Sequence, residues 1–177
     1  MLDNPEDYVF FFHAENPFSH WHPSDICVEF GRYNGNAAIL SVKFKNAEQC
    51  MMWHKARTMK DSATAAKILS ETDPKKVKAL GREIKGFNQE LWDAVKYYTV
   101  LRVNYLKFSQ NPSLLKQLLD TDEKFLAEAS PYDKIWGIGL DEENAKLIAY
   151  RNWPGQNILG HVLMEVRQTL RDSRNFV

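Results

Sequence analysis

Glu48 and Lys55 stand seven residues apart in Ala47-Glu48-Gln49-Cys50-Met51-Met52-Trp53-His54-Lys55-Ala56. Ala47, Cys50 and Met51 recur there at helical spacing. Seven residues make about two turns, so the acid and the base fall on one helix face. Such a pair is either a surface ion-pair stripe, worth only ~0.2–0.5 kcal/mol, or part of a site. The apolar neighbours Met51, Met52 and Trp53 leave this helix little polar surface to spare. A second carboxylate, Asp133, lies in Ser130-Pro131-Tyr132-Asp133-Lys134-Ile135-Trp136-Gly137-Ile138-Gly139. Pro131 fixes its own φ and pushes Ser130 towards extended geometry. Gly137 and Gly139 permit unusual backbone conformations or close approach by a ligand. A carboxylate held still beside large flat rings suits a sugar or a nucleoside. The alternative is a tight turn whose Asp133 caps a helix and whose Trp136 fills the core.

Further candidates lie elsewhere. The segment His13-Ala14-Glu15-Asn16-Pro17-Phe18-Ser19-His20-Trp21-His22-Pro23 is a loop by its two prolines and its Asn, yet it carries Phe18 and Trp21. Loops set on a scaffold often hold binding residues. His20 and His22 form a bare HxH, which without a third ligand is a weak metal signal. Arg102 falls in line with Leu91, Val95 and Tyr98, as a snorkelling side chain or as an anion anchor. Trp153-Pro154-Gly155-Gln156-Asn157 is a second aromatic–polar loop.

The elements that must position these groups follow from pattern. Tyr8 to Phe12 is a short β-rich run, expected to be a strand buried on both faces. Ile26 to Phe30 and Ala38 to Phe44 flank Asn34-Gly35, the strongest short hairpin signal. Asn46 with Gln49 three residues on makes a box-like start for a helix over Ala47 to Ala56. A second helix is expected over Ser62 to Leu69. Asp73-Pro74 opens a third, which stops at Gly81. A long helix should run from about Asn88 to Phe108, with Leu91, Trp92, Val95, Tyr98, Val103 and Leu106 on its core face. Asn111-Pro112 opens the next. Phe125 to Ala129 is ambiguous between strand and helix, and Asp141 to Ala149 suggests a turn or one helical segment. Gln156 or Asn157 opens the last helix, and Arg171 to Val177 should fray. The expected architecture is α+β: a single, mostly helical domain behind a small N-terminal hairpin or sheet.

The totals agree. The chain has 177 residues, enough for one domain, and 44% of them are apolar. Lys plus Arg and Asp plus Glu both number 23, so the formal net charge is zero. Non-specific binding to nucleic acid or to an acidic membrane has no global electrostatic support. Cys27 and Cys50 form no CxxC pair and no disulfide framework, which suits a reducing cytosol. The N-terminus is acidic and lacks the order of a signal peptide. No apolar run approaches the ~20 residues of a membrane span. A cytoplasmic protein is expected.

Six spaced segments, in order, carry a resemblance. They are Asn16-Pro17-Phe18-Ser19, Ala47 to Met52 with Lys55-Ala56, Leu80-Gly81-Arg82, Lys107-Phe108, Ala129 to Gly139, and Trp153 to Asn157 with Leu159-Gly160. Together they resemble the NADAR family of YbiA-like N-glycosidases, over nearly the whole chain. The resemblance implies hydrolysis of a C1′–N bond without a cofactor. It implies one of two substrate classes: ribosylamino-pyrimidine phosphates of riboflavin synthesis, or ADP-ribose attached to guanine. The partner would be a nucleotide or an ADP-ribosylated base, with transient contact to modified nucleic acid and none to a membrane. Carried over by motif, the catalytic groups are Glu48, Trp92, Asp133 and Lys55. Arg82, Lys107, Trp136 and Asn157 would line the pocket or hold phosphate. Three departures from the family pattern stand out: Asn46 replaces Ser or Thr, Cys50 replaces an aromatic, and Arg57-Thr58-Met59-Lys60 lacks the usual Phe-Gly before Asp61. The chemistry fits the residues. Cleavage builds positive charge on the sugar, which a carboxylate stabilises while it activates water. Glu48 and Asp133 can divide the acid and base roles if their environments separate their pKa values. Trp92 or Trp136 offers the base a stacking surface. A desolvated Lys55 could instead attack C1′ and give an imine. The competing reading is a non-catalytic binder of ADP-ribose or NAD using the same residues.

Overall fold

In a computed structural model of the chain, residues 5–30 and 40–175 are described. In chain order the elements are β1 (Tyr8–Phe11), β2 (Ile26–Phe30), β3 (Leu40–Phe44), α1 (Ala47–Thr58), α2 (Ser62–Ser70), α3 (Pro74–Leu80), α4 (Gln89–Gln110), α5 (Pro112–Leu119), β4 (Phe125–Glu128), α6 (Glu142–Ala145) and α7 (Ile158–Asn175). The fold is α+β, as expected. Among the described residues, however, there is no single N-terminal sheet. β2 pairs antiparallel with β3, and β1 pairs parallel with β4, far along the chain. A parallel pair needs a long crossover, so nothing local to β1 announces its partner. The hairpin turn expected at Tyr33 to Asn36 lies outside the described residues. Its arms pair from Ile26↔Phe44 to Phe30↔Leu40. Among the described residues no helix is long and apolar enough to cross a membrane.

The chain divides into two compact units. One holds Pro23–Pro112, the other Met1–His22 with Ser113–Val177. In the first, α1 is central and packs on α2, α3, α4 and β3. It is buried on nearly every face, including Ala47, Cys50, Met51, Trp53 and Ala56. A helix enclosed all round needs its polar groups bonded internally. The Asn46 side chain accepts from the Gln49 N–H (2.8 Å), which satisfies a first-turn donor. The Gln49 side-chain oxygen reaches back to the Lys45 N–H (2.8 Å) rather than to the N–H of the cap itself. Its amide donates to the carbonyls of Ile68 (3.0 Å), Leu69 (3.3 Å) and Glu71 (2.7 Å), closing the end of α2.

In the second unit, α7 packs on β4. Ala127, Ala129, Ile138 and Ala145 form a core against which Phe10, Phe125, Leu140 and Trp153 pack. β1 is half-buried, with Phe11 alone enclosed, because among the described residues its sheet has two strands. The Trp153 loop lies directly on the Gly137–Gly139 backbone: the N–H of Gly155 donates to Ile138 O (2.8 Å), that of Asn157 to Gly137 O (3.1 Å). A β-carbon on Gly155 would stand 2.3 Å from Gly137 O and 2.5 Å from the Ile138 carbonyl carbon. Both obstacles are backbone, so neither can turn aside. Gly155→Ala should therefore cost about 3 kcal/mol of stability, read as a fall in the urea midpoint at constant slope.

Candidate active site

Glu48 and Lys55 lie on α1 as the spacing requires. Glu48 sits in the first turn and is buried. A carboxylate there is favoured by the positive end of the helix. Two turns later the Lys55 ammonium is half-buried. It donates to Gly81 O (2.9 Å) and stands 4.5 Å from the centre of the Phe87 ring and 5.9 Å from that of Trp92. Flat aromatic faces attract a cation, more strongly as water is excluded. Burial lowers the Lys55 pKa from its ordinary 10.5; Glu48 opposes this and Arg82 adds to it. Lys55 thus feels Glu48 on its own helix, Arg82 in the loop after α3 and Trp92 at the start of α4.

The cations differ in setting. Arg82 and Arg102 are exposed, and among the described residues no carboxylate lies within ion-pair distance of either. Lys107 is wholly enclosed, and desolvation lowers its pKa to about 7. The charge of Arg102 acts on two α1 residues. Burial first, and then Arg102, lowers the pKa of His54 to about 4. Burial raises that of Cys50 to about 12 against the opposing pull of Arg102, so the thiol stays protonated and is no nucleophile.

The depressed His54 value has a consequence for stability. The unfolded chain takes up a proton near pH 6.5, while the folded one resists until about 4. The fold is therefore at full strength above pH 6.5 and weakens as pH falls towards 4, by about 3 kcal/mol from this residue. His54→Gln should flatten the pH dependence of the urea midpoint in that interval.

The remaining candidates belong to the other unit. Asp133 is half-buried, and its Oδ1 accepts from the N–H groups of Ile135 and Trp136 (2.9 Å each). No helix starts there, so Asp133 caps none; the two bonds hold a turn and tie up one carboxylate oxygen. Trp136 is half-buried beside it. Asn157 is enclosed, at φ 51°. Its Oδ1 accepts from the Glu128 N–H (3.0 Å) and its amide donates to Leu126 O (2.9 Å), so this side chain joins the start of α7 to β4. Phe18 is buried edge-on against Phe11 at 5.8 Å. His20 and His22 share no metal cluster: among the described residues no three His, Cys, Asp or Glu side chains are grouped as ligands.

Sequence reasoning passed over Phe87 and the Gly81 carbonyl. The one available signal was an aromatic between Gly86 and the cap Asn88, a place where a Phe has no core to fill. A β-carbon on Gly81 would stand 2.1 Å from the Met52 sulfur, so that flexible side chain would have to shift.

With this geometry in hand, comparison with known proteins is direct. The NADAR domain family matches residues 9–171. A protein named N-glycosidase from Acanthamoeba polyphaga mimivirus is 44% identical over 170 residues, covering 92% of this chain and 96% of its own. The protein irg-1 of Caenorhabditis elegans is 37% identical over 179 residues, covering 98% and 84%. The NMR structure of the E. coli protein YbiA shares the fold, with a TM-score of 0.71 at 22% identity over 98% of this chain and 89% of that one. By sequence along almost its whole length, this chain belongs to the NADAR domain family.

Proposed function

We propose that the chain hydrolyses the C1′–N bond of an ADP-ribosyl substrate, with Glu48 and Lys55 at the reacting carbon. It is a hydrolase of N-glycosyl compounds, a reading supported by relatives that carry the name N-glycosidase. The observation that carries the proposal is the α1 face itself. A buried carboxylate and an amine of lowered pKa share it, with the Phe87 and Trp92 rings alongside. A site that only gripped an anion would gain nothing from an enclosed carboxylate, because like charges repel.

Bond breaking sends the C1′–N electron pair to the base, which leaves with a proton, and puts positive charge on C1′ and the ring oxygen. Glu48 stabilises that charge and takes a proton from the water that adds to C1′. Trp92 stacks against the base or the sugar. Arg82 and Arg102, exposed and without carboxylate partners among the described residues, are suited to a pyrophosphate. Lys107, being enclosed, is better suited to shape the interior than to meet a phosphate. Asp133, in the other unit, is offered as a second acid by the resemblance alone.

Relatives named for riboflavin biosynthesis supply the other substrate class. The decisive experiment is base release from a panel: ribosylamino-pyrimidine phosphate, ADP-ribosyl-guanine nucleoside and oligonucleotide, and NAD. The arms that carry ADP-ribose should be cleaved better than the monophosphate, because two guanidiniums match two phosphates. Release from the monophosphate alone would move the assignment to the riboflavin class. Binding of ADP-ribose with no release from any arm would replace the hydrolase by a binding module.

A further inference from the structure

We propose that Asp61 is a positioning residue: one carboxylate oxygen starts α2 while the other pins the 81–88 loop, so that Phe87 and the Gly81 carbonyl are held against the Lys55 ammonium. This rests on the reading that Lys55 belongs to the catalytic centre.

A helix cap needs one oxygen. Asp61 Oδ1 supplies it, accepting from the Thr64 N–H at 3.0 Å. Oδ2 accepts from the Lys85 N–H at 2.9 Å, 24 residues along the chain. Two residues before Asp61, the Met59 sulfur accepts from the Asn88 N–H at 3.3 Å. The short segment after α1 therefore grips the loop at Lys85 and at Asn88, on both sides of Phe87. The loop's other end is held by Lys55 itself, through Gly81 O. Asp61 is buried at the joint, and its own N–H donates to Ala56 O at 2.9 Å. Lys60 takes φ 60°, a left-handed conformation that suits glycine. Met59, just before it, presents the sulfur that bonds the loop. Hydrogen bonds from Lys85 and then Thr64 hold the Asp61 carboxyl down to about 2, so it stays ionised wherever the protein is folded and working.

The test separates this role from simple stability and from the enzymatic assignment. Lysines are reductively methylated with 13C-formaldehyde and titrated by NMR, the Lys55 signal being assigned by its loss in Lys55→Arg. In Asp61→Asn the amide oxygen still caps α2, but an NH2 group faces the Lys85 N–H. The Lys55 titration should move up towards 10.5, and kcat/KM on the cleaved substrate should fall about tenfold, mostly through KM. Asp61→Ser, which caps α2 but cannot reach Lys85, should do the same. Gly155→Ala, destabilised in the other unit, should leave the Lys55 titration where it is. An unchanged Lys55 titration in folded Asp61→Asn and Asp61→Ser overturns the proposal. The titration is read without turnover, so failure to find a substrate would not be mistaken for failure of this inference.

Discussion

Glu48→Gln is expected to lower kcat by about 10³-fold while the protein stays folded. The loss is large because the carboxylate is asked both to stabilise the sugar cation and to activate water, roles each worth about 10²–10⁴. The fold should survive because the two side chains have nearly the same shape and the site is enclosed. The change also removes the one influence that raises the Lys55 pKa, leaving burial and Arg82 to lower it further. Lys55 should therefore titrate at lower pH in the variant than in the parent. Asp133→Asn is the matched experiment on the second acid. Its amide oxygen can still accept from the N–H groups of Ile135 and Trp136, so the turn is kept and the charge alone is lost. A fall of about 10²-fold would support a chemical role, and an unchanged rate would leave Asp133 as the turn residue that its hydrogen bonds describe. Full activity in a folded Glu48→Gln protein would remove the carboxylate from the reaction.

The start of α1 could be read because it is local. Asn46 and Gln49 are three residues apart, and the cap bond joins them. Asp73-Pro74 worked in the same way, with Asp73 accepting from the Lys75 N–H. Asn111-Pro112 did not: the Asn111 amide turns back to Lys107 O and across to Asp25 O, closing α4 rather than opening α5. Both choices satisfy an Asn, and only the neighbours decide between them. β4 stayed ambiguous because four residues show no period and its partner β1 is far away in sequence. The C-terminal segment was expected to fray from Arg171, yet α7 continues to Asn175. Arg167 donates to Thr121 and to Lys124 O, and Arg171 pairs with Glu123. Those anchors lie over forty residues upstream. At the site, the helix face carrying Glu48 and Lys55 was legible from its spacing. Phe87 and Asp61 were not, because their roles depend on a loop folding back over α1.

Lys55→Arg should be nearly as damaging as Lys55→Met, with each losing about 10³-fold in kcat/KM. If the ammonium served only as a positive charge, an arginine would replace it in part. If the amine attacks C1′, arginine fails, because it stays protonated at every working pH. The surroundings favour the amine. Burial and Arg82 lower its pKa, so neutral lysine is present at lower pH than for a lysine in water, and kcat/KM should climb with pH through that lowered value. On this route the nitrogen lone pair forms the new bond to C1′, the base departs with the old electron pair, and ring opening gives an imine that water resolves. Borohydride added during turnover should reduce that imine and leave the wild-type chain heavier by the reduced sugar moiety. Lys55→Arg should gain nothing. Trapping on the wild type together with equal loss in both variants would make Glu48 the partner of a covalent lysine. No adduct, with arginine retaining most of the rate, would return Lys55 to a positioning charge and leave water activated by Glu48 as the direct nucleophile. Either result follows from a single physical question: whether the ammonium between Gly81 O and the Phe87 ring gives up its proton when the substrate displaces water from α1.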